Sequence, residues 1–227
     1  DQHYPSLEIF VIDGGSTDNT VSILESYGDR IWWVSEKDNG QTDAINKGFR
    51  RCSGDILGFL NSDDYLLPGS LDQLAHVFEN DEVQWITGDY QIIDQDGTPI
   101  QSFISVYKRI LRKIHSRSLL LIVNFVNQPS TFWRKQLADQ VGEFNESLHY
   151  VMDYEYWLRA YEVCLPKIIN RPLSAFRIHD ESKGGGEFVQ QFKEEIQVAK
   201  QYTRNPVLHV LHQIHSSIII AFYKIIK

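Results

Sequence analysis

The 227-residue chain contains only two cysteines, Cys52 and Cys164, and has no apolar run long enough to cross a bilayer. Two thiols outside any metal-binding spacing exclude a disulfide scaffold and a zinc module, and make a reducing compartment the expectation. No signal-peptide pattern opens the chain, so a cytoplasmic location is expected. Two nucleotide-binding signatures are also missing: there is no Gly-Lys-Ser/Thr phosphate loop and no G-x-G-x-x-G. The formal net charge of −8 argues against a general nucleic-acid binder. Acid itself is absent from one interval. Between Asp96 and Asp139 there is no carboxylate, while Lys108, Arg109, Arg112, Lys113, Arg117, Arg134 and Lys135 fall inside it. A basic face on an acidic protein suggests an anionic partner, either a phosphate-bearing acceptor or a membrane surface. A plain solvated helix face over 108–117 is the competing reading.

What is present is a globular composition, 42% apolar and 12% aromatic, in a length that suits one domain with a sizeable core. The chain starts without Met and reaches a strand, Leu7–Ile12, almost at once, which reads as entry into the middle of a domain. The spacing predicts a helix from Val21 to Tyr27, a strand Ile31–Ser35, a helix Thr42–Arg51 and a strand Asp55–Leu60. A helix from Pro68 and a strand Val83–Thr87 follow. Strands alternating with helices predict a mostly parallel sheet flanked by helices. Beyond Asp89 the alternation fails. Tyr90–Ile93 and Ile100–Phe103 flank Asp96-Gly97, a hairpin signal. Further on, Arg109–Val123 and Asp153–Cys164 read as helices, and Ser130–Arg134 and Ile168–Ile178 as extended. Gly184-Gly185-Gly186 reads as a flexible joint between a domain over 1–186 and a helical extension over 187–227. The last helix is apolar with terminal lysines, so it fits either a membrane interface or packing against protein.

Four segments carry polar chemistry at the ends of these elements. Asp13-Gly-Gly-Ser-Thr-Asp18 sits at a strand-to-helix turn, where nucleotides bind in open α/β sheets, and its glycines let a ligand approach the backbone. An ordinary capped turn accounts equally for Ser16 and Thr17. Glu36 to Gly48, with Asp43, Asn46 and Lys47, follows the next strand and can line the same cleft. Asp63 and Asp64 end an apolar run that reads as a buried parallel strand. Adjacent carboxylates repel, so the pair costs stability unless a cation sits beside it, and hard oxygen donors suit Mg²⁺ or Mn²⁺. The plainer reading is a turn and a cap for the helix near Pro68. In Tyr150-Val-Met-Asp153-Tyr-Glu-Tyr-Trp157-Leu-Arg159, Asp153 opens a helix, where the dipole favours an ionised carboxylate, whether base or cap. Tyr154, Trp157, Leu158 and Tyr161 read as core.

In order, these segments resemble the inverting nucleotide-sugar glycosyltransferases of family 2, with the GT-A fold, from about Leu7 to about Lys183. The resemblance implies that Asp13 contacts the nucleobase, and that Gly15, Asp43, Lys47, Asp63 and Arg177 belong to the nucleotide-sugar site. It implies a divalent metal, Mn²⁺ or Mg²⁺, on Asp64 and His179, the latter from Arg177-Ile-His179. Asp153 would be the base that deprotonates the acceptor hydroxyl. The implied partners are a nucleoside-diphosphate sugar, a UDP-sugar being favoured, and a glycan or lipid-linked acceptor. Peripheral contact with the inner face of a membrane is expected through 108–117 or the C-terminal helix. Three positions depart from the family pattern: Asn61 for the first metal-motif Asp, Met152 for a Glu before the base, and Gly14 for a frequent second Asp. The family's opening strand and helix, which complete its nucleotide pocket, have no counterpart before Leu7. Three other functions compete. A sugar nucleotidyltransferase would need a Gly-rich basic loop that is not seen. A degenerate transferase acting as a saccharide- or partner-binding module would use exposed aromatics near Trp157. A glycoside hydrolase on Asp64 and Asp153 leaves the remaining segments unexplained.

Overall fold

The computed structural model describes residues 2–179 and 187–226, with side chains of the last helix described through Phe222; the triple glycine 184–186 lies outside the described residues. Strands β1 (Phe10–Asp13) and β2 (Trp32–Ser35) pair in parallel, Phe10 opposite Trp32 and Asp13 opposite Ser35. Helix α1 (Thr20–Ser26) connects them, and α2 (Gln41–Arg51) packs against β1. A second sheet has the order β3 (Ile56–Leu57), β6 (Thr131–Arg134), β5 (Trp85–Ile93), β7 (Lys167–Arg177), β4 (Tyr65–Leu66). Around it lie α3 (Ser70–Phe78), α4 (Ser102–Lys113), α5 (Arg117–Leu120), α6 (Lys135–Val141) and α7 (Met152–Val163). Two helices end the chain, α8 (Phe188–Tyr202) and α9 (Pro206–Ile226).

The expected α/β architecture is present, and the pairing within it is mixed. β5 and β7 are parallel, whereas β3–β6, β5–β6 and β4–β7 are antiparallel. The run 55–60 contributes only two ladder residues, and their partner is antiparallel β6. The ladder stops where Gly58 lies under the Phe132 ring, so closely that a Cβ there would sit 2.5 Å from it. The hairpin expected at Asp96-Gly97 is reduced to a turn. The Ile93–Pro99 bridge and the Ile100 N–H to Ile92 carbonyl bond close it, and by Ser102 the chain is already helical. Positions 103, 104, 107, 108 and 111 have helical spacing, so α4 starts seven residues before the helix expected at Arg109.

The main core gathers Trp85, Trp133, Trp157, Phe125 and Tyr156. Trp85 stacks on Trp157 with centroids 5.7 Å apart. Helix α7 is buried on most sides, which its apolar content on every face requires. Tyr154, Trp157, Leu158 and Tyr161 are core as expected, so no exposed aromatic platform surrounds Trp157. Val198 and Ala199 of α8 belong to the same cluster.

The basic stretch 108–117 is not a free cationic face. Arg109 and Arg112 both clasp Asp89, which is fully buried on β5. Arg117 pairs with Glu162 at 2.7 Å, and Lys108 lines an internal cavity. Among the described residues, Lys113 alone of the five is exposed without an ion pair. Burying Asp89 is tolerable only with such partners, and this draws Arg112 inward, while Arg109 keeps a side chain 43% exposed.

Candidate active site

A cavity of about 2150 Å³ opens between the two sheets and the C-terminal helices. Asp63, Asp64, Asp153 and His179, four residues expected to act there, all line it. Asp13, Gly15, Asp43, Lys47 and Arg177 are not on this wall, and each has a local task instead.

Asp13 ends β1, where the parallel ladder with β2 places Ser35 beside it. Its carboxylate accepts from the N–H groups of Gly15 (3.2 Å) and Ser16 (2.9 Å), from the Ser35 hydroxyl (2.6 Å) and from the Ser16 hydroxyl. The hydroxyls of Ser16 and Ser35 hold its pKa below the usual carboxylate value. Asp13 therefore fixes the turn, and Gly15 is needed in it because its φ is +87°. At Gly14 a Cβ would meet the Asp38 carboxylate at 2.7 Å, a side-chain end that would have to swing aside. At the start of α2, Asp43 accepts from the Asn39 N–H at 3.0 Å, and this bond lowers its pKa. Lys47 bridges Glu36 (3.0 Å) and Asp43 (3.3 Å), and the Glu36 bond raises its pKa. Asn46 is buried and pins the backbone of Phe144, accepting from its N–H at 3.0 Å and donating to its carbonyl at 2.9 Å.

Asp63 and Asp64 lie in the turn between β3 and β4, not at the end of a parallel strand, and they do not cap α3, whose N-cap is Gly69. Asp64 accepts from the Arg177 N–H at 2.9 Å and from the Asn61 amide at 3.4 Å. Burial pushes its carboxyl up to about 6, and the charge of Asp63 adds to this. The Arg177 guanidinium is spent on carbonyls of Asp63 (3.1 Å), Asp94 (2.9 Å) and Gln95 (2.8 Å). It therefore ties the acidic turn to the turn after β5. His179 Nε2 lies 3.1 Å from Asp63 Oδ2. Two carboxylates and an imidazole on adjacent elements are a donor set that suits Mn²⁺ or Mg²⁺. A half-buried, doubly acidic turn is also the kind of site a cation would relieve. In the present geometry no three His, Cys, Asp or Glu side chains converge as a ready metal cage among the described residues.

Asp153 is the second residue of α7. Burial raises its carboxyl to about 6, outweighing the helix N–H of Tyr154 and the positive charge of Lys108, which both lower it. The dipole alone would have kept it acidic; the enclosure decides the matter. Two residues beside it carried no signal as site residues in the sequence. Lys108, an ordinary position in an amphipathic helix, is pushed down to about 8 by burial. Glu195, from α8, is buried and close enough to act on both charges. The loop before α7 is held from the same helix. The Glu194 carboxylate accepts from the N–H groups of His149 (3.0 Å), Tyr150 (2.6 Å) and Val151 (3.0 Å). Nothing in the sequence pairs 194 with 149–151; only the packing of α8 on α7 does.

Comparison with known proteins places this geometry. Residues 1–142 match the model of Glycosyl transferase family 2. An uncharacterized glycosyltransferase of Rickettsia typhi is 29% identical over 79% of this chain and 57% of its own length. The chondroitin synthase of Escherichia coli is 30% identical over 80% of this chain and 26% of its own length. The chain thus spans little more than half, or less, of these curated relatives. Among solved structures, a mannosyltransferase of Pyrobaculum calidifontis in complex with GDP-Man and Mn²⁺ superposes with a TM-score of 0.68 at 16% identity. That match covers 94% of this chain and 63% of the other. S. aureus TarS 1-349 in complex with UDP-GlcNAc gives 0.64 at 18% identity, over 87% and 58%. These two are likenesses of fold; the family model, covering more than half the chain, goes further, and the chain belongs to glycosyl transferase family 2.

Proposed function

We propose that the chain moves a sugar from a nucleoside-diphosphate sugar, a UDP-sugar by preference, to a hydroxyl of a glycan or lipid-linked acceptor, with inversion and with help from Mn²⁺ or Mg²⁺. The observation that carries this reading is that Asp153 faces the same cavity as Asp63, Asp64 and His179. Inversion needs a base for the incoming hydroxyl on one side of the sugar and a partner for the departing diphosphate on the other. Asp153, with its carboxyl near 6, is ionised at neutral pH yet more basic than an exposed Asp. It takes the acceptor proton, a contribution of about 10²–10⁴-fold. Asp64, Asp63 and His179 would hold the metal, which when bound supplies Lewis-acid stabilisation of the diphosphate. Arg177 keeps the acidic turn in place through its carbonyl contacts. Asp13 and Gly15 shape the nucleobase end, and Asp43 with Lys47 braces the neighbouring wall. The reaction is placed in the cytoplasm, at the inner face of a membrane when the acceptor is lipid-linked.

Thermal unfolding with UDP, GDP and dTDP, each with and without Mn²⁺, tests the reading. Ligand at about 100 times its dissociation constant adds about 2.7 kcal/mol of stability. A metal-dependent shift with one nucleotide supports the proposal and names the base; a folded protein that shifts with none sinks it. Anomeric configuration of the product, read by NMR, separates inversion from retention.

A further inference from the structure

One wall of the cavity is left without a task by the donor and the metal. It is formed by α4 and α9 and consists of Phe103, Ile104, Tyr107, Ile218, Ile219 and Phe222. Phe188 and Phe192 of α8 extend it. A saccharide bound here would lose water from its hydroxyls and find few groups to bond them, at a cost for each left unpaired. Among the polar side chains of this region, Lys108 and Glu195 lie next to Asp153, and the Tyr107 hydroxyl is already paired with His215 Nε2 at 3.0 Å. We infer that the α4–α9 wall holds the apolar part of an amphiphilic acceptor, a saccharide carried on a hydrocarbon chain, whose hydroxyl is presented to Asp153. The inference rests on the transferase reading above.

The order of groups along α4 suits such a molecule. Residues 103, 104, 107 and 108 share one stripe, with Lys108 at the end nearest Asp153. Phe103 lies five positions away, about 7.5 Å along the axis, with its ring 5.5 Å from that of Phe222. The wall therefore turns from polar to apolar with distance from the base. It does not stop at the cavity. Val106 and Ile110 of α4 and Ile214 and Ile218 of α9 continue it onto the surface, Ile110 being 56% and Ile218 61% exposed. Neither helix contains an Asp or Glu. An apolar, acid-free surface leading into a cavity complements an anionic lipid layer from which a lipid-borne acceptor would enter.

The test is a chain-length series of hexyl, octyl and decyl maltoside, below their micelle concentrations, titrated against the purified protein. Affinity rises by about fifteenfold for each two methylenes fully withdrawn from water. We expect a steep rise in the wild type and a flattened one in Phe103→Ser and Ile218→Ser. Phe103 is 49% and Ile218 61% exposed, so neither variant opens a cavity in the core. Ile114→Ser, equally exposed but off the cavity wall, should leave the series unchanged. A slope below about twofold per two methylenes, or an equal loss in Ile114→Ser, overturns the inference. So does a dimer in sedimentation that Ile218→Ser dissociates, because a second copy would then cover the face. The nucleotide shift with Mn²⁺ is measured on the same samples. Its loss with the chain-length dependence intact removes the transferase reading, whereas the reverse removes the acceptor inference alone.

Discussion

Asp153 must be buried enough to be basic and polar enough to stay ionised, and its neighbours strike that balance. Enclosure lifts its carboxyl to about 6 while Lys108 and the first-turn N–H of Tyr154 pull the other way. The base form is the deprotonated one, so turnover should fall as pH drops through about 6, with a slope of one proton in a pH–rate profile. Asp153→Asn should keep nucleotide binding and lose at least about 10²-fold in kcat; full turnover in that variant would remove Asp153 from the mechanism. Asp64 gives a prediction of stability. Its carboxyl stands near 6 in the folded chain against 3.8 for an ordinary Asp. Between those values the folded state retains a proton that the unfolded state has released, so rising pH destabilises the fold, and above about 6 the penalty is complete. Without metal, Asp64→Asn should melt higher than wild type at pH 8 and with no advantage at pH 4. Mn²⁺ favours the ionised form, so it should reverse that order at pH 8. A variant less stable than wild type at pH 8 without metal would show that the Arg177 contact outweighs burial.

At the level of elements, α7 is aimed by a helix distant in sequence. The three N–H groups gathered by Glu194 belong to the residues that lead into α7, so α8 sets where Asp153 starts. Glu194→Ala should lower kcat by about tenfold or more, as small displacements of a catalytic group do, with nucleotide affinity unchanged. A fall in nucleotide affinity of the same size would make Glu194 a general stabiliser instead. This link was illegible in the sequence because side chain-to-backbone pairing leaves no periodic trace. The helical character of the C-terminal extension was legible: Phe188–Tyr202 and Pro206–Ile226 are helices. The short strands were not. Asp55–Leu60 has the composition of a buried strand, yet only Ile56 and Leu57 find partners, because Gly58 is pressed against Phe132. The acidic turn could be named from its residues alone, while the use of Arg177 as a backbone clamp depended on where β7 ends relative to β5.

For the whole molecule, the question is whether 187–227 is an addition to a finished domain or a part of its core. The composition favours the first reading, with a glycine triplet before two helices. The packing favours the second. Val198 and Ala199 are 1% and 2% exposed within the cluster built on Trp157, and His212 of α9 lies buried 2.8 Å from the Leu121 carbonyl. Tyr202 donates to Glu155, the residue that Arg159 holds at 2.8 Å on α7. Removing α8 and α9 would expose that cluster and strip the loop before Asp153 of its three acceptor bonds. Burial of one aliphatic side chain contributes about 1.5–3 kcal/mol, and a domain's whole margin is about 5–15 kcal/mol. A chain ended at Gly186 should therefore lose its cooperative thermal transition and bind a hydrophobic dye, and adding nucleotide with Mn²⁺ should not restore it. A sharp transition at the wild-type temperature would mean that the two helices ride on a domain that is complete without them. The position of Asp153 would then have to be set from within 1–186.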